Sequence, residues 1–207
     1  VLLGAPGVAD DLQAGFLFSG MGNAAGAAGC ALAAVHARGR GRLVWSLLAA
    51  GNGVWAITDV AYALTVAAGV DVPRVSGFDA GWIATYGFTL TAVLLIYAPL
   101  RPERGWQGGV DGAAAAVAIA LVAWLIVVDL GGPAGGDAQA VDLVYAIGDL
   151  TGLAALGWVV YRYGRRSPAW LVWATAAFGA QALAGLLWIA LTSRGLGGGA
   201  ALVAYAA

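Results

Sequence analysis

The chain has 207 residues, 61% of them hydrophobic and only 10% charged, with a formal net charge of −1 and a mean hydropathy of +0.84. Soluble domains carry about 25% charged and 45–50% apolar residues, so this composition excludes one and predicts a single integral-membrane domain over residues 1–207. No basic stripe with interleaved aromatics is present, which excludes nucleic acid as a partner, and one cysteine, Cys30, excludes an internal disulfide or a cysteine-built metal site.

A helix needs about 20 apolar residues to cross the hydrocarbon. In chain order, runs of that kind fall at 14–36, 43–68, 80–98, 110–130, 141–161 and 169–192, and a seventh begins near 199. The expected fold class is therefore all-α, a polytopic bundle of about seven spans with the last one truncated. A β-barrel would need ten-residue alternating segments instead of continuous apolar runs. Both ends read as those of a fragment. "VLLGAPGVADD" is the end of a signal-like segment or the tail of an earlier helix, and the chain stops at "ALVAYAA".

All ten basic residues are Arg, and their distribution predicts the orientation. Arg38, Arg40, Arg42, Arg101, Arg104, Arg162, Arg165 and Arg166 fall on one side of the membrane, Arg74 and Arg194 on the other. Short loops rich in basic residues mark the cytoplasmic face, which puts residue 1 outside and sends the last helix inward. Trp82, Trp106, Trp170 and Tyr163 lie at span ends, where interfacial aromatics belong. The Arg-only, Ala- and Gly-rich usage suggests a GC-rich bacterial genome, so the expected location is the bacterial cytoplasmic (inner) membrane, multi-pass, with the lipid bilayer as the first partner.

Within the spans, "WAITDV" at 55–60 is echoed by "YAIGDL" at 145–150. Ninety residues equal three helices, so the two segments run in opposite directions. At a rise of about 1.5 Å per residue, Asp59 lies roughly 25 Å from Arg42 and Asp149 roughly 20 Å from Arg162. Both carboxylates thus sit at similar depth in the outer half of the membrane, as an inverted three-helix repeat would place them. Asn52, Trp55, Asp59 and Tyr62 share one helix face, and so do Asp142, Tyr145 and Asp149. An intramembrane carboxylate faces the bundle interior or a wet cavity, because exposing it to lipid costs about 2.5–3.5 kcal/mol. The expected arrangement is one polar site made by Asp59, Asp149, Tyr62, Tyr145, Trp55 and Gln181. It serves either as hydrogen-bonded glue between helices or as a pocket for a small ligand, lipid or ion.

Gly22 and Gly26 form a GxxxG extended by Gly29 and Ala33, which admits close packing within the chain or between two chains. His36, at the end of the first span, is an interfacial residue. One His cannot supply two axial haem ligands, and the absence of Lys removes a retinal Schiff base, so no cofactor and no metal is expected. "GGPAGGD" lacks the Lys-Ser/Thr of a phosphate loop. No nucleophile with an adjacent base appears, so catalytic residues are none and the chain itself is not expected to be an enzyme.

The strings "GNGVWAITDVAYAL", "FDAGWIATYGFTLTAVLLI", "GGVDGAAAAVAIALVAWLIV" and "AVDLVYAIGDLTGLAALGWVVYR" resemble the multi-helix membrane sensor modules that precede GGDEF and EAL domains in bacteria. Those domains are the diguanylate cyclase and cyclic-di-GMP phosphodiesterase units. The resemblance covers about residues 43–193. Trp55, Asp59 and Tyr62 match a Trp-x-x-Gly-Asp motif with a following aromatic, with one extra residue and Thr58 for the glycine. Tyr145, Gly148 and Asp149 match Tyr-Pro-x-Gly-Asp with Ala146 for the proline. Asp79 and Tyr86 match an intervening Asp-to-Tyr stretch. The resemblance implies a sensory module that passes a signal to a cytoplasmic output domain after residue 207, where the parent protein would synthesise or degrade cyclic-di-GMP, and it implies a homodimer. A small transporter or channel built on the inverted echo is the alternative, and a structural assembly subunit is a third.

Overall fold

The computed structural model describes residues 8–97, 117–119, 121–125, 137–164 and 169–193. Five long helices account for most of them: α1 (Val8–His36), α2 (Arg40–Ala67), α3 (Gly77–Tyr97), α4 (Asp137–Tyr163) and α5 (Ala169–Ser193). A helical piece at 117–119 and 121–124 lies between α3 and α4 in sequence. Among the described residues the fold is all-α. The stretches Gln13–His36, Arg40–Ala67, Gly77–Ile96 and Ala140–Tyr161 are long and apolar enough to cross a membrane, and α5 is apolar over Ala169–Gly185. The rest of the run at 110–130, and the start near 199, lie outside the described residues.

Each helix packs on the next, giving contacts α1–α2, α2–α3, α3–α4 and α4–α5. The turns explain that order. Only Ala37, Arg38 and Gly39 separate α1 from α2, and Gly39 takes a φ of 54°, the left-handed conformation that lets the chain reverse. Arg42 Nε donates to the Ala34 carbonyl oxygen across that turn at 3.3 Å. The C-terminus of α2 closes in a Schellman motif: Val70 N–H donates to Thr65 O, Gly69 N–H donates to Val66 O, and Gly69 adopts φ 73°. α3 starts at "SGFD", a capping box. The Ser76 hydroxyl accepts from Phe78 N–H at 3.3 Å, and the Asp79 carboxylate reaches back to Ser76 N–H at 2.7 Å. Several helices start before the apolar runs, α1 by six residues, because the polar residues ahead of each run are also helical.

Burial is inverted relative to a soluble protein. Ile57 is 72% exposed and Trp173 is 74% exposed, whereas Asp59, Asp79, Thr85 and Asp149 are buried. Helices surrounded by lipid gain nothing by hiding aliphatic side chains from it, but they must hide polar ones. One apolar cluster, Val93, Leu156, Val159 and Leu171, joins α3, α4 and α5 at the end of the bundle away from the α2–α3 loop. Trp45 of α2 meets Trp170 of α5, with ring centroids 5.4 Å apart.

The GxxxG of α1 divides. A Cβ on Gly26 would sit 3.0 Å from Asn52 Oδ1 of α2, whereas Gly22 and Gly29 face open space. Residues seven apart fall nearly in line, but a four-residue step turns about 40°. Gly26 therefore rotates into the α1–α2 contact while Gly22 and Gly29 stay outside it. Gly26→Leu is expected to destabilise the bundle by about 1–3 kcal/mol and Gly22→Leu by less than about 0.5 kcal/mol. Thermal melts of both variants in detergent check this, and equal melts would contradict the assignment of faces.

Candidate functional site

The polar residues buried in the bundle converge on α3. Trp82 and Tyr86 stand one turn apart on it, and each donates to a carboxylate on a different neighbouring helix. Trp82 Nε1 donates to Asp59 Oδ1 of α2 at 2.8 Å. Tyr86 Oη donates to Asp149 Oδ1 of α4 at 2.7 Å. Asp59 takes a second bond on its other oxygen from the Ser19 hydroxyl of α1 at 2.7 Å. These distances belong to well-made bonds to a carboxylate oxygen. Asp59 is 0% exposed and Asp149 4% exposed, so both are removed from lipid.

Close approach of the backbones makes the bonds short. Gly20 follows Ser19, and its Cβ would lie 3.3 Å from Asp59 Cβ and 3.0 Å from Val60 Cγ2. Gly81 precedes Trp82, and any Cβ there would collide with the Thr58 side chain. Gly148 precedes Asp149, and a Cβ would meet the Tyr86 ring at 2.8 Å. Gly185 of α5 lies against Asp149, its would-be Cβ 2.7 Å from Oδ2. Small residues beside each polar partner let the helices come together, as at many intramembrane interfaces.

α4 is joined to the α2–α3 loop and to α3 by a ladder of three rungs. From the α2–α3 loop inward these are Arg74 to Asp142, Tyr145 Oη to Asp79 Oδ1 at 2.6 Å, and Tyr86 to Asp149. Asp142, Tyr145 and Asp149 are the face that the 3-and-4 spacing on α4 selects, and each residue of that face takes one rung. Below the ladder the same interface continues as Val93 against Leu156 and Val159.

Asp59, Asp149 and Tyr145 each bond a residue of α3. Asp59 and Asp149 each have their own donors, with α3 packed between their helices. Helix order decides which donors each carboxylate meets. Tyr62 joins Phe16, Phe78 and Trp82 in an aromatic group, with centroids 4.5 Å from Phe16 and 5.6 Å from Trp82. Tyr145 serves Asp79, not Asp149. The Trp55 indole nitrogen is buried one turn from Asp59, close enough to that carboxylate to interact with it but without a bond of regular geometry. The side chain of Gln181 lies outside the described residues. Asn52 donates to its own helix at Leu48 O, and His36 bonds Leu32 O at the exposed end of α1. Trp82, expected as an interfacial anchor, turns inward because the Asp59 carboxylate offers its N–H a partner. Ser19 carried no signal beyond being a hydroxyl in an apolar run. Comparison with family models, with curated proteins and with solved structures returned no match.

The α3 donors can be tested directly. Tyr86→Phe removes the hydroxyl while keeping the ring on Gly148, and it should destabilise the fold by about 1–2 kcal/mol through the stranded Asp149 carboxylate. Combining it with Asp149→Leu should cost less than the sum of the two single changes, since both break the same bond. Additive melts in detergent would show that the pair does not interact.

Proposed function

We propose that the chain is a seven-span sensory module of the bacterial inner membrane, with its N-terminus outside. It passes a signal through α3 to a cytoplasmic output domain. The observation that carries this reading is the pair of α3 donors, Trp82 and Tyr86, bound to carboxylates on two different helices. A ligand that competes for either bond changes how α3 sits against α2 or α4, and differential affinity for two such arrangements is what shifts a conformational equilibrium. The Trp55 indole lies beside Asp59 as well, one turn away on α2, so the carboxylate is surrounded by side chains that can donate to it. Residues that carry the family resemblance support the reading too: Asp59, Asp79, Tyr86, Tyr145 and Asp149 each bond across helices. The ligand is a small molecule or lipid reaching the outer half of the bundle, and the working unit is a homodimer.

Orientation is checked by cysteine accessibility. In a Cys30→Ala background, Arg38→Cys should resist a membrane-impermeant thiol reagent in intact cells and Val70→Cys should label. The opposite pattern refutes the N-out arrangement.

Signalling is checked with a diguanylate cyclase domain fused after Ala207, reading cellular cyclic-di-GMP. Trp82→Phe and Tyr86→Phe should each shift output about two- to thirtyfold, the span of coupling changes produced along connecting networks. Their thermal melts must still show a folded membrane domain. Unchanged output from folded variants overturns the sensory reading. Altered solute or ion uptake into vesicles would then favour the transporter or channel.

A further inference from the structure

Among the described residues, the α2–α3 loop has one charged attachment to the rest of the bundle. Its ends are fixed, by the Schellman motif at Gly69 and by the capping box at Ser76. Between them Arg74 reaches across to Asp142 in the second turn of α4. The three rungs that α4 makes with this loop and α3 differ in kind. Arg74–Asp142 pairs two formal charges, and their side chains are 46% and 17% exposed. The other two rungs use neutral tyrosine hydroxyls as donors, to Asp79 and Asp149, both of which are buried. Mobile ions weaken attraction between exposed charges and have little purchase on buried bonds to neutral donors. Ionic strength therefore acts on the first rung and spares the second and third.

We propose that Arg74 and Asp142 form a salt-sensitive strap that fastens the α2–α3 loop to α4 and opens as ionic strength on that face rises. Opening bears on the rung beneath. Arg74 is two residues from Ser76, whose backbone N–H is held by Asp79 Oδ2, while Asp79 Oδ1 accepts from Tyr145. Loop, helix cap and second rung thus share one carboxylate, and a loop freed from Asp142 loosens the outer end of the α3–α4 contact. The strap stands on this geometry and does not depend on the sensory reading.

The test is a distance measurement on the purified chain in lipid nanodiscs. Spin labels go on Val75→Cys and Ala140→Cys, both exposed positions, in a Cys30→Ala background. Raising NaCl from about 0.02 to about 0.5 M shortens the screening length from roughly 20 to roughly 4 Å. The long-distance population should grow roughly two- to fivefold, the equilibrium equivalent of losing an exposed ion pair. Arg74→Gln should show the long-distance population at both salt concentrations. The exchanged pair, Arg74→Asp with Asp142→Arg, should restore the salt response. Amide hydrogen exchange at Arg74 and Val75 of the unlabelled chain gives the same comparison without cysteines, with faster exchange expected at high salt. Distances and exchange that ignore salt, or Arg74→Gln that keeps the short distance, overturn the strap.

Discussion

A carboxylate inside an apolar bundle has to be given hydrogen-bond donors by the chain, because lipid supplies none. Everything specific in this fold follows from meeting that requirement at Asp59 and at Asp149. Among the described residues no arginine pairs with either. The donors are a tryptophan N–H, a tyrosine hydroxyl and a serine hydroxyl, two of them from a single helix. α3 therefore sits where it does for a polar reason. Its aliphatic residues would be equally content against lipid, but Trp82 and Tyr86 are satisfied only when α2 lies on one side and α4 on the other. Packing by small residues then serves the polar bonds: Gly20, Gly81 and Gly148 each neighbour a member of a bonded pair and remove the Cβ that would hold the backbones apart.

Much of this was legible in the sequence. Composition alone demanded a helical membrane domain, and the apolar runs located α1, α2, α3, α4 and α5 to within a few residues of the described helices, apart from starts that polar residues extend. Burial of Asp59 and Asp149 followed from the cost of facing lipid, and the spacing of Asp142, Tyr145 and Asp149 identified the face of α4 that meets α3. Helical periodicity says which residues share a face. It is silent on which helix that face meets.

Partner choice was hidden for that reason. "WAITDV" and "YAIGDL" suggested two equivalent settings and one joint site, yet the aromatic four residues before each Asp behaves differently. Tyr145 donates across to Asp79, whereas Trp55 stays beside the Asp59 of its own helix. The difference lies in what stands opposite. Asp79, a capping residue at the start of α3, faces α4 and gives Tyr145 an acceptor, whereas α3 presents Trp82, a second donor, to the Asp59 side of α2. Trp82 itself was misread because a tryptophan at a span end is equally at home in the headgroup region. Only the neighbouring carboxylate decides between the two environments, and that neighbour is 23 residues away in sequence.

The two ends of the α3–α4 contact are built from different forces. Toward the α2–α3 loop the helices are held by directional bonds, each made or broken as a unit. Toward the other end they are held by Val93, Leu156 and Val159, with Leu171 of α5. Dispersion contacts of that kind are individually small and tolerate slight sliding, whereas a hydrogen bond at 2.6–2.7 Å does not. The rungs therefore constrain how α3 sits on α4 more tightly than the apolar end does. The Asp59 bonds add a second constraint on the same helix, one turn from Tyr86. A single helical turn of α3 thus carries a donor for each of the two buried carboxylates, which lie on helices at either side of it.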